Sequence, residues 1–345
     1  MARLRRVDCS GPGIRRRRAG RGFVYYVGDE RVTDPKVLAR IRAQAIPPAW
    51  TDVWICPLAN GHIQAVGTDA AGRRQYRYHD DWRVRRDQEK FDHMLDFARA
   101  LPNLRTVTAA DLAGTELNRA RVLACATRLL DIGFFRIGTE GYAEQHQHYG
   151  LATIRKEHVT IADGEVRFDY VAKSGKRRLQ SVVDPEVHAV VRALKSRRGG
   201  GPELLAYRRE DGRWCDVRSV DINDYVKETT GAHFTAKDFR TWNATVLAAV
   251  SLAVAAAATS ATGRRRAVAW AMQEVAHWLG NTPAVCRSSY VDPRVIDRYL
   301  AGVTVAEALC GLGERASFGQ LSTQGAIEDA VLDLLDDAPP ATAVA

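Results

Sequence analysis

The sequence predicts an α+β fold, with a small β-rich N-terminal domain joined to a larger, mainly α-helical domain that carries a β-hairpin. Three observations predict it. Short apolar and aromatic runs separated by turn residues fill residues 23–80. From about residue 82 apolar residues recur at spacings of three and four, as in Phe91, Leu95 and Ala98. One island of alternation, Val166, Phe168, Tyr170 and Ala172, interrupts the helical stretch.

Residues 1–22 carry eight arginines against the single acid Asp8 and read as a basic flexible arm. Phe23 to Val27 is a strand bounded by Gly28-Asp29. A helix over 34–44 follows, with Asp34 as cap and Pro35 at its first position. Ile46-Pro47-Pro48-Ala49-Trp50 breaks regularity. Val53 to Ile55 and His62 to Val66 are strands on either side of the turn Asn60-Gly61. Gly72 leads into Gln75-Tyr76-Arg77-Tyr78, and the small domain closes at about residue 82.

Residues 83–312 form the second domain. Helices are expected over 116–132, ending at Gly133, and over about 139–149. The β island spans 157–183, with Ser174-Gly175 as its turn. The Ala/Val run 246–258 is too short and too rich in Ala to span a bilayer and reads as a buried helix. Residues 313–345 hold six acids against Arg315 and read as an acidic tail.

The chain of 345 residues is 46% hydrophobic, which excludes a disordered protein. Its net charge of +9 and pI near 9.4 favour polyanionic partners, nucleic acid first. The six cysteines show no CxxC pair and no His/Cys cluster, so they read as reduced thiols without structural zinc. The N-terminal arginines precede no apolar run, so they are not a secretory signal.

DNA strand transfer without a cofactor needs a reversible oxygen nucleophile, cations on the phosphate's nonbridging oxygens, and a proton donor for the leaving oxygen. Tyrosine suits the first because its phenolate is also a fair leaving group. Arginine suits the clamp because it stays charged and binds phosphate bidentately. Four contexts offer such groups. Arg136 lies in a turn between Phe135 and Ile137, where it could equally bridge helix ends. Lys173 projects at the hairpin tip, where most lysines are merely solvated. Thr235 with Asp238 caps a helix that starts with Lys237 and Arg240. Cations there oppose the helix dipole unless an anion binds; otherwise they are ordinary surface charges. Finally, Gly280, Thr282-Pro283 and Asp292-Pro293 place Asn281 and Tyr290 in two helix connectors, where tyrosine more often packs.

Taken together, Phe134–Tyr142, the hairpin around Lys173, Lys237-Asp-Phe-Arg240 and Gly280-Asn-Thr-Pro followed by Tyr290 resemble the catalytic blocks of type IB DNA topoisomerases. The order is the family's, with 37 residues from Arg136 to Lys173, 50 from Arg240 to Tyr290 and nine from Asn281 to Tyr290. Ile46 to Ile55 and Gly72 to Tyr78 are similar to the family's small domain, in its compact bacterial/poxvirus-like branch. The resemblance covers roughly residues 23–310 and implies the catalytic fold shared by tyrosine recombinases and type IB topoisomerases. It implies Tyr290 as nucleophile, forming a 3′-phosphotyrosyl link and freeing a 5′ hydroxyl. Arg136 and Arg240 would clamp the phosphate, and Lys173 would protonate the 5′ oxygen. Asn281 stands where many relatives have His, so its part is hydrogen bonding only. Tyr142, Lys237, Gln75, Tyr76 and Tyr78 would contact DNA.

The implied protein is a monomer that closes as a clamp on duplex DNA, with no membrane association. It would need no ATP, metal or other cofactor and would act in the cytoplasm on the nucleoid. Tyrosine recombinases are the nearest alternative, but they usually show His-x-x-Arg where this chain has Lys237-x-x-Arg240, and their N-terminal domain is helical. A non-catalytic DNA-binding protein would not need Arg136, Lys173, Arg240 and Tyr290 together.

Overall fold

The computed structural model describes residues 3–255, 258, 260–310 and 324–336. It divides into two compact units, one up to Phe91 and one from Asp92 onward.

The first unit is built on an antiparallel six-stranded sheet: β1 (Ile14–Ala19), β2 (Gly22–Val27), β3 (Glu30–Arg31), β4 (Thr51–Ile55), β5 (Ile63–Thr68) and β6 (Arg74–Tyr78). The strand order is β3-β2-β1-β4-β5-β6. Strand alternation puts Ile14, Val53, Ile55 and Ala65 in one apolar cluster, which Ile41 of helix α1 (Pro35–Ala43) completes. Trp54 and Val66 form another cluster, joined by Val7 and Cys9.

The expected flexible arm at 1–22 needs correction, because β1 pairs with β2 along its whole length and with β4 at Ile14 and Arg15. Its arginines find local partners. Arg16 donates to the carbonyls of Ile46, Pro47 and Trp50 and lies 4.1 Å from the Phe23 ring centre. Arg17 lies 4.5 Å from that of Tyr26. The chain before β1 is also held: Trp54 Nε1 donates to the Gly11 carbonyl at 3.1 Å.

Helix α2 (Asp80–Leu112) precedes α3 (Arg119–Gly133) and α4 (Glu140–His146). The β island is a three-stranded sheet, β7 (Val159–Ala162), β8 (Glu165–Ala172) and β9 (Lys176–Val182), one strand more than the expected hairpin. Helix α5 (Pro185–Ser196) follows, then the small hairpin of β10 (Ala206–Arg208) and β11 (Trp214–Asp216), too short to read from periodicity. The rest is helical: α6 (Ser219–Thr230), α7 (Ala236–Val254), α8 (Ala261–Leu279), α9 (Pro283–Ser289), α10 (Pro293–Leu300), α11 (Ala306–Cys310) and α12 (Ala326–Asp336). The Ala/Val run lies on buried α7 as far as residue 254, and its residues 256 and 257 fall outside the described residues.

The expected acidic tail at 313–345 also needs correction. Residues 326–336 are helical, and Ile327, Val331 and Leu335 are fully buried. The segments 311–323 and 337–345 lie outside the described residues. Acidic Glu328 belongs to the core rather than to solvent. Its carboxylate accepts from Arg105 at 2.6 and 2.9 Å and from the indole N–H of buried Trp242 at 2.8 Å. Arg105 also forms a fork onto Asp131, 2.9 Å on each arm. Burial opposes the Arg105 charge, but pairing with Glu328 and Asp131 outweighs it and raises its pKa.

Glu328→Ala leaves Arg105 with Asp131 alone and Trp242 without its acceptor. The expected loss is about 3 kcal/mol, read in a thermal melt as a midpoint lower by roughly 6–12 °C. An unchanged midpoint contradicts a structural role for the C-terminal helix.

Candidate active site

The four contexts singled out in the sequence meet around the carbonyl end of α8. That helix stops at Gly280, whose φ of 64° is the left-handed conformation that suits glycine at a helix end. Asn281 follows, its N–H donating to the Ala276 carbonyl at 3.1 Å. Thr282 caps α9 by accepting from the Val285 N–H at 3.3 Å, with Pro283 at the first helical position. Tyr290 is the residue at which α9 ends, its N–H donating to the Cys286 carbonyl at 3.0 Å. The chain is pinned again just beyond it. Thr245 Oγ1 on α7 lies 3.3 Å from the Tyr290 carbonyl and accepts from the N–H of buried Asp292 at 3.2 Å. Asp292 then caps α10, accepting from the Arg294 N–H at 2.9 Å.

Arg136 sits on an irregular segment that the backbone itself locks. The N–H groups of Leu151 and Ala152 donate to the carbonyls of Arg136 and Ile137 at 2.8 and 2.7 Å. Gly138 crosses Gly150 so closely that a Cβ on Gly150 would lie 2.5 Å from the Gly138 nitrogen. Phe135 is fully buried against Phe168, ring centres 4.9 Å apart, which explains an aromatic next to a cation. The Arg136 side chain donates to the side-chain carbonyl of Asn281 and approaches the Gly280 carbonyl at 3.5 Å.

Arg240 enters from α7, which begins with the expected capping pair: Asp238 accepts from the Thr235 N–H at 2.8 Å. It is 4% exposed. Its guanidinium donates to the Phe134 carbonyl at 2.6 Å and the Leu279 carbonyl at 2.9 Å. Both belong to helix C-termini, of α3 and α8, whose partial negative charge favours a cation. Arg240 Nε and Asn281 Nδ2 are buried donors with no acceptor in good hydrogen-bond geometry, although both side chains approach the Tyr290 hydroxyl.

The electrostatics follow from this crowding. Burial, then the nearby charge of Arg136, push Arg240 down to about 10, so it remains a cation at neutral pH. The Arg240 guanidinium carbon lies 5.3 Å from the Tyr290 ring centre. Burial acts on the Tyr290 phenol to raise its pKa, yet the Arg240 and Arg136 charges and polar contact with Asn281 leave it below the ordinary value. Tyr170, close to the same arginines, is moved the other way: burial pushes it up to about 12. Of these two phenols, Tyr290 is the one prepared to ionise.

A cavity of about 310 Å³ opens beside the phenol, and Arg136, Tyr142, Lys173, Lys237, Arg240 and Tyr290 all line it. Lys173 comes from the turn between β8 and β9, where Ser174 and Gly175 have φ of 67° and 71°. Tyr142 is on α4 and Lys237 in the first turn of α7. Asn281 reaches the group through Arg136. Gln75, Tyr76 and Tyr78 lie on β6, within the first unit. Tyr76 and Tyr78 are exposed and stacked with ring centres 6.0 Å apart, while Gln75 donates to Asp69 at 2.8 Å.

His148, Tyr149 and Arg178 carry no motif that singles them out in the sequence. The first two line the same cavity. Arg178 pairs across the hairpin with inward-facing Tyr170, a register signal that alternation alone offered. Among the described residues no group of His, Cys, Asp or Glu is placed to hold a metal ion, and no helix is long and apolar enough to cross a membrane.

Residues 79–305 match the family described as the catalytic core of eukaryotic DNA topoisomerase I. Residues 22–69 match the N-terminal domain of bacterial DNA topoisomerase IB. A DNA topoisomerase 1B of Acanthamoeba polyphaga mimivirus is 33% identical over 294 residues, covering 83% of this chain and 87% of the relative. A DNA topoisomerase 1 of Candidozyma auris is 33% identical over 127 residues, 36% of this chain and 16% of that protein. A DNA topoisomerase 1 of Daucus carota is 25% identical over 161 residues, 46% and 19% respectively. The chain therefore belongs to the type IB DNA topoisomerase family.

Proposed function

We propose that this protein relaxes supercoiled duplex DNA through a transient 3′-phosphotyrosyl link on Tyr290. The observation that supports the reading most is the lowered pKa of Tyr290 beside two arginines whose hydrogen-bond partners hold them in place. Tyr290 Oη attacks the scissile phosphorus, its proton passing to solvent. The new P–Oη bond replaces the P–O5′ bond, and Lys173 Nζ gives its proton to the departing 5′ oxygen. Arg136, Arg240 Nε and Asn281 Nδ2 offer donors to the nonbridging oxygens, where charge builds in the transition state. Rotation of the freed end removes supercoils, and attack by the 5′ hydroxyl restores the strand. One phosphodiester is exchanged for another, so the chemistry asks for neither ATP nor metal.

The same reading makes the chain a monomer that closes as a clamp on duplex DNA in the cytoplasm, associated with the nucleoid. The stacked pair Tyr76 and Tyr78, with Gln75, offers a DNA-facing surface on the first unit. Tyr142 and Lys237 offer another on the second.

Plasmid relaxation in EDTA without ATP tests the reading. The unmodified protein relaxes the plasmid and Tyr290→Phe does not; an inactive unmodified protein contradicts the activity, and an active mutant contradicts the nucleophile. The lowered phenol makes a pH prediction. Single-turnover cleavage is expected to rise with pH and level off below about 10, the ordinary tyrosine value. Arg240→Gln removes the foremost lowering charge, so the inflection moves upward while the plateau drops about 100-fold or more. An inflection that stays put contradicts the electrostatic account. Lys237→Ala is expected to weaken DNA binding and to lower the slope of log K against log salt by about 1; an unchanged slope removes Lys237 from the phosphate contacts.

A further inference from the structure

The carbonyl end of α8 is shared among three arginines. Arg240 takes the Leu279 carbonyl and Arg136 approaches that of Gly280. The two carbonyls before them, of His277 and Trp278, accept from the third, Arg178, at 3.0 and 2.6 Å. Arg178 comes from β9, in the hairpin whose turn presents Lys173. Neither the catalytic blocks described above nor the lining of the cavity beside Tyr290 gives it a task.

We propose that Arg178 is a positioning residue for strand cleavage, locking the Lys173 hairpin onto the carbonyl end of α8. The proposal rests on the reading of Lys173 as proton donor. A lysine on an exposed turn gains nothing from its own environment to fix its distance from a leaving oxygen, and proton transfer needs that distance held. The hairpin must therefore be anchored behind its tip. Gln180 donates to the Gly133 carbonyl at the end of α3 and accepts from the Tyr170 hydroxyl at 2.9 Å. Arg178 adds the anchor on β9 that reaches the helix end also carrying Gly280 and Asn281.

The geometry favours positioning over direct phosphate contact. Both terminal nitrogens of Arg178 already donate to main-chain carbonyls, and its planar fork makes that two-point contact rigid. The guanidinium packs on the helix end closely: a Cβ on Gly280 would lie 3.1 Å from Arg178 Nη1. Burial lowers the Arg178 pKa despite the nearby Tyr170, so its charge is maintained against a desolvation cost. The last carbonyls of a helix are short of partners within it, and a half-buried cation there satisfies both.

The test uses two duplexes, one ordinary and one with sulfur replacing the 5′ bridging oxygen of the scissile phosphate. A thiolate leaves without a proton, so the second duplex does not need the proton donor. Single-turnover cleavage is measured for the unmodified protein, Lys173→Ala, Arg178→Ala and Arg178→Lys. Arg178→Ala is expected to cleave the ordinary duplex roughly 10- to 100-fold more slowly, and the sulfur duplex nearly as fast as the unmodified protein does. Arg178→Lys, which keeps charge but loses the fork, shows the same contrast in weaker form and serves where Arg178→Ala fails to fold. If Lys173→Ala is rescued by sulfur but the Arg178 variants are slowed equally on both duplexes, or on neither, the positioning proposal is overturned alone. If Lys173→Ala is not rescued, the proton-donor reading falls and the proposal falls with it.

Discussion

The site depends on one constraint: apart from the Gly280 N–H on His277, at 3.3 Å, main-chain donors leave the last carbonyls of α8 to other partners, and arginine side chains satisfy them. His277 and Trp278 are met by Arg178, Leu279 by Arg240, and Gly280 is approached by Arg136. Three side chains from three distant parts of the sequence are thereby gathered at one point. The helix dipole offsets part of the repulsion among them. What remains uncompensated adds to burial in depressing the pKa of Arg240 and, against burial, lowers the phenol of Tyr290. A site with excess positive charge and unpartnered donors is complementary to a phosphate whose negative charge grows during reaction.

Support for that point comes from behind. Arg240 lies two residues before Trp242, whose indole is fixed by Glu328 of the C-terminal helix. Glu328 shares Arg105 with Asp131, and the main-chain carbonyl of Asp131 accepts from Asn243 at 2.8 Å. Asp131 stands near the end of α3, just ahead of the Phe134–Arg136 segment. One buried ionic cluster therefore braces α3, just ahead of the Arg136 segment, and α7, which carries Arg240. Phe97 and Phe239, ring centres 4.8 Å apart, fill the apolar space beside it. Rigid support of this kind is what holds catalytic side chains to within a fraction of an ångström.

Much of the site is legible in the sequence because punctuation fixes helix ends. Gly280, Thr282-Pro283 and Asp292-Pro293 are enough to put Asn281 and Tyr290 in connectors, and the helices end and begin at those residues. Thr235 and Asp238 do the same for the start of α7. Charge hides other elements. The arginine run of β1 resembles a disordered leader until Arg16 is seen bound to three carbonyls. The acids of α12 resemble a tail, although Ile327, Val331 and Leu335 recur at helical spacing. Arg178 is not legible in composition, since its meaning lies in which carbonyls it meets, and those are about a hundred positions away.

The central claim is a covalent bond between Tyr290 and the 3′ phosphate at the break. The most direct measurement traps the reaction with denaturant on a duplex labelled at the 5′ end of the cleaved strand, then maps the labelled peptide by mass spectrometry. The account predicts label retained on protein, on the peptide containing Tyr290, with a free 5′ hydroxyl on the released fragment. Label on Tyr170 or another residue, or protein attached through a 5′ phosphate at the break, would contradict it.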